Sequence, residues 1–275
     1  MQFQIIIVVL NNLNEKLAEW LSNILKVLAH KVDAVVLPIT QDVIQEIMRT
    51  SLGRDNAQVV MNRLLERYSK TILHARSWLR IVKPIIEALI WIANNRPVVV
   101  VVPSVSIESL IEDQYYTVDL LSVLIRRKLD ANIIKKLLDR LRSSFEEFEE
   151  YTIKTVEDLM NRYQTSVYFI TSCFSCFILF KIIDSLIKDN LIIHVMSLCN
   201  KIPPPTYVLH MLPIIYNNVE SLSLEKLILY TRRYLMDYVV ISESIWDAYK
   251  KFIAENPDYV VFCRQLVNMY CPLAM

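Results

Sequence analysis

Ile5-Ile6-Ile7-Val8-Val9-Leu10, then Glu15–His30, then Ala34-Val35-Val36-Leu37-Pro38-Ile39 form the stretch on which the fold turns. The first is an unbroken apolar run dominated by β-branched residues and reads as a strand buried on both faces. Across Glu15–His30, residues Leu17, Trp20, Leu21, Ile24, Leu25 and Leu28 recur at helical spacing on one face. The second apolar run closes at Pro38, which suits a strand end because proline cannot donate to a ladder. Thr40 is placed to cap the helix that follows. Strand, amphipathic crossover and second strand make a βαβ unit, and such units build parallel sheets.

The alternation continues downstream. Gln41 to Asn94 reads as helical, with breaks expected near Gly53 and before Pro84. Pro97–Val102 reads as a central strand, and Ser104-x-x-x-Glu108 opens another helix. Helices rich in Leu, Ile, Lys and Arg are expected over residues 117–162. Val167–Thr171 and Leu191–Leu198 read as strands separated by a helix around Phe177–Lys188. Pro203-Pro204-Pro205 ends that unit, and the rest reads as mainly helical with a late strand at Tyr259–Cys263. The expected architecture is one α/β domain over residues 1–275. It has a mostly parallel central sheet, helical crossovers, a large helical insertion and a mainly helical C-terminal extension over about residues 206–275.

Composition narrows the function. With 54% hydrophobic and 21% charged residues in 275, the chain has ample material for a core. A net charge of +1 gives no electrostatic reason to expect nucleic acid. Gly53 is the only glycine, where average usage of ~7% would supply about 19. Phosphate-cradling loops need glycine, so Walker-type and dinucleotide-binding fingerprints are absent. The uncharged run Gln164–Phe180 carries Gln, Thr and Ser and reads as a strand plus a helix start, not a membrane span. Met1-Gln2-Phe3-Gln4 has no basic lead, and no signal peptide is expected. Five cysteines, an odd number, favour free thiols in a reducing compartment, so a cytoplasmic location is expected.

Four segments carry a resemblance. Lys31-Val32-Asp33-Ala34-Val35-Val36-Leu37-Pro38-Ile39 resembles the segment Lys-Pro-Asp-Ala-Val-Ala-Val-Glu-Leu of the TraB/TIKI hydrolase-like family. Glu87–Ala93 with Arg96–Leu110 is similar to its helix–strand unit, Tyr163–Lys181 to its next strand and helix, and Ile192–Pro203 to its strand ending in Gly-x-x-His. Order and spacing are kept across about residues 3–205. The resemblance implies an α/β fold with histidines and a glutamate at strand ends, holding a divalent metal that activates water. Here the two Gly-x-x-His positions read Asn11 to Asn14 and Ser197 to Asn200, the glutamate reads Pro38, and the family's Asp-Arg and Glu-Arg pairs fall at Pro103-Ser104 and near Ser172-Cys173. Amide oxygens are weak ligands for such metals, and proline offers no side-chain donor. The departures are systematic and point to an inactive relative that binds a protein partner or a second copy of itself. No cofactor, nucleic acid or membrane span is implied.

Other chemistry is thinner. Cys173-Phe174-Ser175-Cys176 stands at an expected strand-to-helix junction, where a thiol pair gains reactivity, and Pro203–Pro205 resembles the proline loop that flanks thioredoxin-like sites. The apolar neighbours Phe174, Phe177, Ile178 and Leu179 favour buried, inert thiols instead. A zinc site from Cys173, Cys176, Cys199 and a histidine lacks a second paired motif. His194 reads as a satisfied core histidine. Arg67 and His74 match a loose nuclease spacing but read as solvated positions. Arg126, Arg127, Lys128, Lys135, Lys136, Arg140 and Arg142, followed by Glu146, Glu147, Glu149 and Glu150, read as complementary helices or a mixed-charge face. A hydrolase with relocated ligands would draw on Glu108 or His210.

Overall fold

The computed structural model describes residues 3–10, 14–51, 57–70, 75–95, 99–105, 119, 122–123, 131–170, 191–198, 202–210, 221–242 and 244–270. The opening stretch forms the expected unit: β1 (Phe3–Leu10), α1 (Glu15–Leu28) and β2 (Ala34–Leu37). There follow α2 (Gln41–Ser51), α3 (Ala57–Tyr68), α4 (Ala75–Asn95), β3 (Val100–Pro103), α5 (Ala131–Arg162), β4 (Thr165–Ile170) and β5 (Leu191–Leu198). The C-terminal layer comprises α6 (Pro205–His210), α7 (Ser221–Tyr234) running into a π-helical turn (Leu235–Val239), α8 (Ile245–Glu255) and α9 (Pro257–Tyr270).

The five strands are all parallel, in the order β3-β2-β4-β1-β5. The fold is therefore an α/β sheet with helical crossovers. Alternation of side chains along each strand separates two cores. Ile5, Ile7, Ala34, Val36 and Tyr168 face α5 and the C-terminal helices, whereas Val8, Val35, Leu37, Val167 and Phe169 face α1–α4. Crossovers toward β3 use one face and the crossover from β3 back to β4 uses the other, as right-handed connections require.

Three expectations are corrected. The valine run after Pro97 forms an edge strand, not a central one, and Val100 is 39% exposed. Hydrophobicity alone does not rank strands within a sheet. The helix does not break before Pro84: α4 runs through it. Proline removes the bond to the carbonyl four residues back, here that of Arg80, whose side chain stands at the surface where water can replace it. Tyr259–Cys263 belongs to helix α9, because Pro257 at its first position and Asp258 in its first turn are helix starters that override Val260 and Val261.

Candidate functional site

In a parallel sheet every carboxyl end lies on one edge, and ligands bind where neighbouring connections leave toward opposite faces. β1 and β5 are such neighbours. Val9 stands opposite Ser197 and Leu10 opposite Leu198. Beyond them the chain enters α1 on one face and, through Ile202–Pro205, the C-terminal layer on the other. The carboxyl ends of β1 and β5 are the candidate site; residues 11–13 and 199–200, which follow these two strands, lie outside the described residues.

The described residues at this edge are engaged in holding the fold. Asn14 is buried and caps α1, its Oδ1 accepting from the Leu17 N–H at 3.0 Å. Pro38 is buried beyond β2. Ser104, beyond β3, donates both its hydroxyl and its N–H to the Leu37 carbonyl, each at 2.8 Å. Ser197 pairs with Val9 one step before the end of the ladder with β1. Asn11, Ser172, Cys173, Cys176, Cys199, Asn200, Glu108 and His74 lie outside the described residues, and His210 is the final residue of α6. Among the described residues, no group of three or more His, Cys, Asp or Glu side chains is placed to hold a metal ion.

Other groups converge on the exit of β1. Glu15, in the first turn of α1, pairs with Arg80 of α4 at 3.2 Å through Oε1, while its buried Oε2 has no hydrogen-bond partner among the described residues. Tyr234 of α7 is buried, and its phenol is pushed well above the ordinary value by burial, reinforced by Tyr249 and the Glu15 carboxylate. Helix α8 also contacts α1. Sequence reasoning missed this meeting because the residues come from opposite ends of the chain.

No family model, curated protein or solved structure matches the chain.

A second polar group follows β2. The buried Glu46 carboxylate lies 3.3 Å from Arg63 and 3.4 Å from Arg67, and Arg67 also reaches Asp42 at 3.7 Å. Arg67 is thus tied into an ion-pair network rather than merely solvated. Asp42/Glu46 and Arg63/Arg67 each sit four residues apart, a spacing that would have exposed the match between α2 and α3. Above it, Thr40 Oγ1 and the Tyr68 hydroxyl share a buried hydrogen bond of 2.9 Å. Burial raises the Tyr68 phenol, and the bond to Thr40 partly opposes this.

The proline segment is a buried strap. Its prolines have no N–H to satisfy, so only carbonyls need partners. Tyr259 donates to the Pro203 carbonyl at 2.6 Å, Tyr249 to that of Ile202, and Thr231 lies 3.4 Å from that of Pro205. His194, expected in the core, is instead exposed on β5, which is an edge strand among the described residues. Lys135, Lys136, Arg140 and Arg142 share the single helix α5 with the four glutamates, and Arg140 pairs with Asp119 at 2.9 Å. Arg126, Arg127 and Lys128 lie outside the described residues. Among the described residues, no helix is long and apolar enough to cross a membrane.

Proposed function

We propose that this chain acts by binding a protein partner, on a scaffold related to the TraB/TIKI hydrolase-like family whose catalytic positions have been turned to structural use. The observation that carries this reading is the employment of Asn14 and Ser104. Asn14 Oδ1 closes a helix N-terminus and the Ser104 hydroxyl donates to a strand-end carbonyl, which is structural use of both side chains. Placement of the altered segments at the carboxyl ends of adjacent strands supports the shared ancestry.

The C-terminal layer supports the partner. Leu229 of α7, Met236 of the π-helical turn, Val240 and Ile241 just after it, and Val261 of α9 are all exposed. Large apolar side chains left in solvent on one layer are the form of a protein-contact face. Elemental analysis of natively purified protein, with native thiol titration of the same sample, tests the reading. It expects no stoichiometric metal and unreactive cysteines. A bound divalent metal or a fast-reacting Cys173–Cys176 pair overturns it in favour of an enzyme.

A further inference from the structure

The cross-sheet rows end abruptly at β5. On one face Val102, Val36, Tyr168, Ile7 and Val195 stand side by side, with Val36, Tyr168 and Ile7 fully buried but Val195 40% exposed. On the other, Phe169 and Val8 are buried and their neighbour Met196 is 48% exposed. Ile192 is 37% exposed beside it. Among the described residues β5 has one strand neighbour, β1, so its outer backbone N–H and C=O groups have no ladder partner.

Natural edges are blunted by shortness, proline or charge. The opposite edge, β3, has the first two: it is four residues long, ends in Pro103, and has its terminal carbonyl bound by Tyr151 of α5 at 3.2 Å. β5 has none: its eight residues, Leu-Ile-Ile-His-Val-Met-Ser-Leu, include no proline and no Lys, Arg, Asp or Glu.

We propose that β5 is the interface of a homodimer, pairing antiparallel with β5 of a second copy to make one continuous sheet. The strand is self-complementary. A two-fold axis through His194, normal to the sheet, sets Ile192 of one copy opposite Met196 of the other and Ile193 opposite Val195. That register keeps each face continuous across the junction and brings no fixed like charges together. The apolar rows that stop at Val195 and Met196 are then extended by the second copy. This inference is independent of the binding role assigned to the C-terminal layer.

The test is sedimentation velocity of the full chain from micromolar to hundreds of micromolar, with amide hydrogen exchange of residues 191–198 over the same range. The wild type is expected to dimerise, with exchange in β5 slowing as the dimer fills. The double variant Val195→Lys/Met196→Lys changes exposed side chains and is expected to raise the dimer dissociation constant by at least about tenfold, with unchanged circular dichroism. A wild type that stays monomeric, or a folded double variant that dimerises as the wild type does, overturns the proposal. If the double variant does not fold, the wild-type exchange decides: β5 protection that does not rise with the dimer fraction overturns it.

Discussion

The Asp33 carboxylate accepts two hydrogen bonds from Thr165 through one oxygen, from its N–H and from its hydroxyl, each at 2.9 Å. The backbone of Asp33 joins the same knot, donating to the Thr165 carbonyl at 2.9 Å and accepting from Val100 at 3.0 Å. One residue thus fastens the amino ends of β2, β3 and β4. It explains how β4, late in the chain, inserts between β1 and β2. Asp33→Ala is expected to cost about 1.5 kcal/mol, the low end for hydrogen bonds to a charged group. Urea unfolding measures it, and Asp33→Asn, which keeps an acceptor oxygen, is expected to recover part of the loss.

Asn14 gives a sharper test, because its assigned role is structural. Losing an asparagine cap costs about 0.5–2 kcal/mol, so Asn14→Ala is expected to lower stability in that range and Asn14→Asp to retain it. An Asn14→Ala variant as stable as the wild type would contradict the capping role and return the residue to a ligand-binding one.

The βαβ start was legible because β-branched runs and a clean helical face are local signals, and residues 5–37 carry both. Strand order was not: Pro97–Val102 looks as central as any run, and its place at the edge is decided by distant bonds such as those of Asp33. The carboxyl edge as site could be inferred from strand ends alone. Its convergence of Glu15, Arg80, Tyr234 and Tyr249 could not, since no local spacing relates them. Tyr259–Cys263 misled because two valines resemble a strand, while the stronger signal was the Pro257-Asp258 pair just before them.

Tyr259 also anchors the proline strap. Removing its hydroxyl leaves the Pro203 carbonyl without its only described donor, and a buried orphan acceptor costs about 1–3 kcal/mol. Tyr259→Phe keeps the ring contacts with Tyr230 and Phe252, so the loss reports the hydroxyl's hydrogen bonds, to the Pro203 carbonyl and with the Cys263 thiol. Thermal and urea unfolding of the variant are expected to fall by that amount with unchanged secondary structure.

The buried hydroxyl and thiol groups set the alkaline limit of the fold. Burial pushes Tyr168 up to about 12, against an ordinary 10.0, and its bond to Thr152 only partly opposes this. Burial likewise raises the Cys263 thiol to about 12 from 9.0. Both groups keep their protons longer in the folded state than in the unfolded chain, so unfolding releases protons above the unfolded values. Their contribution is complete below pH 9 and is lost as pH rises toward about 12, at ~1.4 kcal/mol per pH unit for each group inside its window. Melting temperature is therefore expected to hold level from neutral pH to about 9 and then fall. Tyr168→Phe removes one of the titrating groups, and its melting curve is expected to decline less steeply above pH 10 than that of the wild type. An equal slope in the two proteins would mean that the Tyr168 phenol reaches solvent and ionises without unfolding.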